Sequence, residues 1–294
     1  MRRMSIRVTA GTPAEVIDAA MTETLGSSAA NALKFHIARM AGVGDASALA
    51  VEDPDAFEEV AARLFGAGSA ALLNRLAAYL FRAIVPASRS GPPDYAVKGS
   101  FGEQVRQLRG AYIIKNAVLE MKDRDHVIAY YSSPFQLEQM VYHFVVRGLQ
   151  NDQVTFMAVS RQEERAFREF LWANGMDADS LVERGDIVTV SHDELYPEGL
   201  DPSIEPILAC LYAARAEIKS RKRAGLNIIG TVAGNLALRG EDDRCLRLEQ
   251  AWHRTVQDYA VPVTLLCPYS ADVMTAESRA MLIECHSRSV RPPL

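Results

Sequence analysis

Residues 126–160, HVIAYYSSPFQLEQMVYHFVVRGLQNDQVTFMAVS, decide how the chain folds. Each end is a short apolar run rich in β-formers: His126–Ser133 and Asp152–Ser160. Between them, Pro134 to Gln150 is amphipathic, with proline near the first turn, where a missing N–H costs nothing. Two strands joined by a helix of that length cannot form a hairpin. They form a crossover, which is right-handed and leaves the strands parallel.

The same rhythm continues toward the C-terminus. RQEERAFREFLWANG (161–175) reads as a helix closed by Asn174-Gly175, and GDIVTVS (185–191) as a strand. Residues 202–223 read as a long helix and LNIIGTV (226–232) as a strand. A helix over 241–259, a strand in VPVTLLCPYS (261–270) and a last helix in TAESRAMLIECHSRS (275–289) complete the series. Residues 123–294 are therefore expected to form an α/β domain with about five strands in a mostly parallel sheet, covered by helices on both faces.

Toward the N-terminus the pattern is all-helical. Thr12-Pro13-Ala14-Glu15 carries a capping-box signature with proline at the first helical position. Ala30, Leu33, Ile37 and Met40 repeat at helical spacing, as do Phe57, Val60, Leu64 and Phe65. So do Leu72, Leu73, Leu76, Tyr79, Leu80 and Ile84. Residues 1–86 are expected to be a small helical domain. Residues 87–122 comprise most of the Pro/Gly-rich stretch PASRSGPPDYAVKGS (86–100) and a connecting helix from about Phe101. Val105, Leu108, Tyr112 and Leu119 follow a partial heptad broken by Lys115, which would suit either a homodimer contact or packing within the chain.

Composition excludes several classes. With 49% hydrophobic and 23% charged residues the chain can bury a core and is not a disordered tail. A net charge of -5 argues against a protein whose main partner is nucleic acid, although Arg2, Arg3 and Arg7 leave a short basic arm for DNA. Cys210, Cys245, Cys267 and Cys285 are spaced 35, 22 and 18 apart, without a CxxC pair. Neither a disulfide scaffold nor a metal site is expected from that spacing. No signal peptide or membrane-spanning run is apparent, so a cytoplasmic protein with free thiols and no membrane contact is expected.

In such sheets ligands bind at the carboxyl ends of the strands. A nucleotide hydrolase would need a glycine-rich loop with lysine after the first strand, and the chain has Tyr131-Ser132-Ser133-Pro134-Phe135-Gln136 there. No carboxylate follows LNIIGTV, where Ala233-Gly234-Asn235 stands, and no GxSxG surrounds a serine. No catalytic residue and no cofactor are expected. Cys267 with His126 or His192 is the one conceivable thiol arrangement, weighed against simple burial of the cysteine. The residues expected at the rim suit binding of a small, partly apolar molecule: Tyr130, Tyr131, Ser132, Ser133, Arg161, His192, Glu194, Tyr196, Asn235, Cys267 and Tyr269.

These features resemble, in order, the MEDS domain, the sensory domain named for methanogens, methylotrophs and the DcmR regulator. The resemblance covers about residues 123–272. It lies in His126 opening the first strand, Arg147-Gly148-Leu149 ending a helix and Asn174-Gly175-Met176-Asp177 at a turn. It continues in Arg184-Gly185-Asp186, Glu194-Leu195-Tyr196, Asp201-Pro202 and Cys267-Pro268-Tyr269. The resemblance implies a RecA/KaiC-like fold with an eroded phosphate loop and a role in sensing hydrocarbon derivatives within transcription regulators or sensor kinases. Ala233-Gly234-Asn235 departs from the acidic residue often found there in that family. More faintly, Gly26-Ser27-Ser28-Ala29-Ala30 and Leu64-Phe65-Gly66-Ala67-Gly68 resemble small helical output-type domains of archaeal signalling proteins.

The expectation is thus a non-enzymatic regulator of signal transduction or transcription that binds a small ligand and relays the change to a signalling partner. The rivals are a residual nucleotide-binding or thiol enzyme and a DNA-binding regulator using the N-terminal helices.

Overall fold

The computed structural model describes residues 11–85, 99–192, 218, 223–272 and 275–291. They form two compact units that divide between Tyr112 and Ile113.

The first unit is helical. Helices α1 (Pro13–Leu25), α2 (Ser27–Ala41), α3 (Ala46–Glu52), α4 (Pro54–Phe65) and α5 (Ser69–Ile84) pack together, with a short 3-10 turn at Gly66–Gly68. Thr12 caps α1 in a complete capping box with Glu15, as its spacing predicts. Ile17, Ala20, Ile37, Phe57, Leu76 and Leu80 form the core. The apolar faces are narrower than the sequence suggests, since Met40, Leu64 and Phe65 are exposed. Helix α3 was not legible: its seven residues, ASALAVE, are too few to show a helical period. The continuous stretch Pro54–Ile84 has the length and hydropathy to cross a membrane, which the run-length reading missed. It is two helices broken at glycine, and their buried sides belong to this bundle, so it is weak evidence for a span.

Helix α6 (Phe101–Leu119) contributes its first twelve residues to this unit and the rest to the second. Its heptad positions Val105 and Leu108 are already buried within the single chain.

The second unit is an α/β sandwich. Its strands are β1 (His126–Tyr131), β2 (Gln153–Val159), β3 (Ile187–Ser191), β4 (Gly225–Gly230), β5 (Val263–Ser270) and β6 (Arg288–Val290). Every pairing is parallel, in the order β3-β2-β4-β5-β1-β6. The helices are α7 (Pro134–Gln150), α8 (Arg161–Ala173), α9 (Ala178–Glu183), α10 (Val232–Leu238), α11 (Asp242–Asp258) and α12 (Ala276–Glu284). Two apolar layers sandwich the sheet. Val127, Ala129, Met157, Val159 and Leu266 point to the layer shared with α7 and α8. Ile128, Tyr130, Phe156, Leu265 and Cys267 point to the layer shared with α10 and α11.

The first crossover is as the opening stretch predicts, and α7 carries the chain from β1 past β5 and β4 to β2. The last helix is shorter than expected. It stops at Glu284, and the chain re-enters the sheet as β6, which pairs Val127 with Arg288 and Ala129 with Val290. The edge of β1 would otherwise leave its ladder unpaired, and that demand overrides the helical pattern of 285–289. The short helix α10 was not anticipated: the strand was expected to run to Val232, but it ends at Gly230 and Val232 opens this helix. Its close packing needs Gly234, because a Cβ there would stand 2.5 Å from the Pro268 carbonyl oxygen. The long helix expected over 202–223 lies outside the described residues, apart from Ile218 and Arg223.

Candidate functional site

The carboxyl edge of the sheet carries an open cleft of about 360 Å³ between the N-termini of α7 and α8. Pro134, Leu137, Ala166 and Phe167 supply apolar wall, and Glu138, Ser160, Gln162, Glu163 and Asn235 supply polar groups. The helix starts are fixed by caps. Ser133 Oγ accepts from the Gln136 N–H at 3.3 Å, and Ser132 donates to Gln136 Oε1 through both N–H (2.9 Å) and hydroxyl (3.1 Å). Ser160 and Glu163 form a capping box at the start of α8.

A polar chain runs behind this cleft. Thr231 donates to Glu163 Oε2 at 2.8 Å. His192 Nε2 lies 3.0 Å from the Ala158 carbonyl oxygen and 3.1 Å from Thr231 Oγ1, the geometry of a shared donor. Asn235 Nδ2 then faces His192 Nδ1 at 3.4 Å, as a donor to the other ring nitrogen. The ends of β2, β3 and β4 are thereby tied to α8. Burial, with Glu163 nearby, pushes the Tyr131 hydroxyl above its ordinary pKa.

The expected rim separates into two groups, because successive side chains of a strand point to opposite faces. Ser132, Ser133, His192 and Asn235 belong to the cleft and its supporting chain, and Arg161 begins α8. Tyr130, Cys267 and Tyr269 instead face the layer under α11. The Tyr130 and Tyr269 rings lie 6.3 Å apart, and the guanidinium carbons of Arg291 and Arg279 stand over Tyr130 at 5.1 and 5.6 Å. Cys267 is mid-strand and buried, not at a strand end. Glu194 and Tyr196 lie outside the described residues.

Under α11 the strands present a second constellation that sequence reasoning largely missed. His126 Nε2 lies 3.1 Å from Glu249 Oε2 and 3.3 Å from Cys267 Sγ. Cys267 Sγ lies 3.4 Å from the same carboxylate oxygen, as does His286 Nε2. Tyr269 donates to the other oxygen, Glu249 Oε1, at 2.6 Å. Both Glu249 and His126 are fully buried. Burial alone would raise the Glu249 carboxyl, but the His286 and His126 rings outweigh it and hold the group below the ordinary carboxylate range. Burial, then Glu249, pushes the Cys267 thiol well above its ordinary value. The pairing of His126 with Cys267 was foreseen as one of two options, and His192 has the other surroundings described above. Glu249 and His286 gave no local signal. They come from α11 and from the turn before β6, more than 100 residues from His126 in sequence.

Compared with known protein families, residues 125–287 match MEDS, the MEthanogen/methylotroph, DcmR Sensory domain. The chain belongs to the MEDS family. No curated protein matches it. The MEDS match spans strands β1 to β5 and both constellations, ending just before β6, and it gives the α/β unit a sensory or regulatory role. Two of the stretches that carry the resemblance to the family acquire physical reasons here. His126 stands at the start of β1 within the buried cluster. Arg147 and Gly148 lock α7 to the sheet. The Arg147 guanidinium donates to the Met121 carbonyl, Gln153 and Asn227, and a Cβ on Gly148 would meet Thr155 Oγ1 at 2.4 Å.

Proposed function

We propose that this MEDS protein is a non-enzymatic cytoplasmic sensor that binds a small, partly apolar molecule, such as a hydrocarbon derivative, in the cleft between α7 and α8. The carrying observation is the cleft itself: apolar walls and a few fixed polar groups at the edge where parallel sheets take ligands. Family membership supports the sensory role. The output is a signalling or transcription partner, reached when ligand favours one arrangement of the domain over another.

The non-enzymatic reading rests on the turn after β1, which lacks the glycines and lysine of a phosphate loop. It rests also on Cys267, a buried thiol that is far from being a thiolate. Thermal melts of the full chain with a panel of small alcohols, halogenated hydrocarbons, methylated amines and nucleotides test it. A molecule that binds only the native state raises the melting temperature. Ala166→Trp, at the cleft wall, abolishes that rise while leaving the ligand-free melt unchanged. Magnesium-dependent ATP turnover, or a rise that survives Ala166→Trp, would overturn the proposal.

A further inference from the structure

We infer that His126, Glu249, Cys267 and His286 form a binding site for one divalent transition-metal ion of the zinc class. The site lies on the opposite face of the sheet from the cleft. Each of the four residues offers one ligand atom, all four atoms lie within 4.8 Å of one another, and all four residues are buried.

The distances suit a metal ion as well as a hydrogen-bonded cluster. Zinc binds histidine nitrogen and carboxylate oxygen at about 2.0–2.2 Å and thiolate at about 2.3 Å, so the edges of its tetrahedron are about 3.3–3.7 Å. Four of the six observed edges are 3.1, 3.3, 3.4 and 3.4 Å, and all six are within 4.8 Å. Hydrogen bonds from a nitrogen to an oxygen run at about 2.7–3.2 Å, so the 3.4 Å approach of His286 Nε2 is the one beyond that range. Within the same cluster Tyr269 meets Glu249 Oε1 at 2.6 Å, so the carboxylate makes an ordinary hydrogen bond where it has one to make.

Ring orientation supports the same assignment. His286 Nδ1 lies 2.6 Å from the Leu282 carbonyl oxygen, which fixes a proton on that nitrogen. The other ring nitrogen, Nε2, is buried and faces Glu249 Oε2 at 3.4 Å, beyond ordinary hydrogen-bond length. An ion bound there would take up this nitrogen and this oxygen together with His126 Nε2 and Cys267 Sγ. A backbone carbonyl holding the far nitrogen of a ligating histidine, and a hydroxyl holding the far oxygen of a ligating carboxylate, are the usual outer contacts of a metal site. The strands set the positions. His126 and Cys267 lie on adjacent strands and the same face, with Ile128 opposite Cys267 in register. Ser287 binds the His126 backbone through its N–H (2.7 Å) and its hydroxyl, which brings His286 against the His126 ring at 4.0 Å between centroids.

On loading, Cys267 binds as thiolate and its proton leaves to solvent, with no change of oxidation state. Because the ligands are buried, the ion enters as the chain folds. The test is refolding of the full chain with Co(II) alone, a spectroscopic stand-in for zinc. One Co(II) per chain is expected, with a thiolate-to-cobalt charge-transfer band and the intense visible bands of tetrahedral cobalt, both removed by added Zn(II). Cys267→Ser removes the charge-transfer band. His286→Gln, which spares the sheet, weakens Zn(II) binding by at least the roughly 10-fold typical of losing an outer contact. A wild-type chain that refolds without these bands overturns the proposal. So does a charge-transfer band unchanged in Cys267→Ser, or zinc affinity unchanged in His286→Gln.

Discussion

Replacing Arg147 by methionine should destabilise the α/β unit by about 2–4 kcal/mol. Arg147 is buried near the C-terminal end of α7, and its fork reaches three elements and the segment before β1. Its Nε and Nη2 donate to the Met121 carbonyl at 3.1 and 2.8 Å, and Nη1 donates to Gln153 Oε1 and Asn227 Oδ1, each at 2.8 Å. Methionine fills much of the same volume but leaves these three acceptors without the donor. Each buried acceptor so orphaned costs about 1–3 kcal/mol. Relief from burying a guanidinium, a cost visible in its lowered pKa, offsets part of that sum. Urea unfolding followed by the fluorescence of Trp252, which is buried in this unit, gives the difference from the shift in midpoint. Arg147→Lys should also destabilise, because an ammonium cannot span the fork. A methionine variant within about 1 kcal/mol of wild type would refute the claim that this network fastens α7 to the sheet.

Gly148→Ala should cost about 1–3 kcal/mol by overpacking, because its Cβ would press on Thr155 Oγ1 and on Asn227, itself held by Phe144; an unchanged urea midpoint would contradict this. His143 is held neutral, its pKa lowered to about 3 by burial and by Lys115. The unfolded ring titrates near 6.5, so stability is full above that value and falls as pH drops toward 3, by about 2 kcal/mol at pH 5. His143→Phe should flatten that part of the pH–stability curve, and an equal slope in both proteins would count against it. Cys245, pushed up to about 12 by burial and Glu249, and Cys267 should resist alkylation in the native state; peptide mapping that finds either modified as fast as in urea would reject their burial.

The fold was legible where periodicity is strong. The Val-Ile-Ala-Tyr-Tyr and Val-Thr-Phe-Met-Ala-Val runs around an amphipathic helix force a parallel crossover, and each such unit in the described residues is present. It was illegible where an element answers to its neighbours. Strand β6 exists because β1 has an edge to satisfy, and its residues Arg288, Ser289 and Val290 have no strand pattern of their own. The placing of the rim side chains was not legible. A strand end was identified correctly, but the pleat sends Tyr131 and Tyr130 to different faces, so adjacent aromatic residues do not share a wall. The buried cluster was illegible for a different reason. His126, Glu249, Cys267 and His286 meet only through the sheet order, and metal-site reading from sequence depends on ligands close together in the chain.

Hydrogen exchange across the full chain, with and without a small molecule that raises its melting temperature, locates the binding site most directly. Slowed exchange confined to residues 132–138, 160–167 and 231–235, the walls of the cleft and their support, is the predicted result. Slowed exchange in α11 and β5 with no change at the N-termini of α7 and α8 would contradict it.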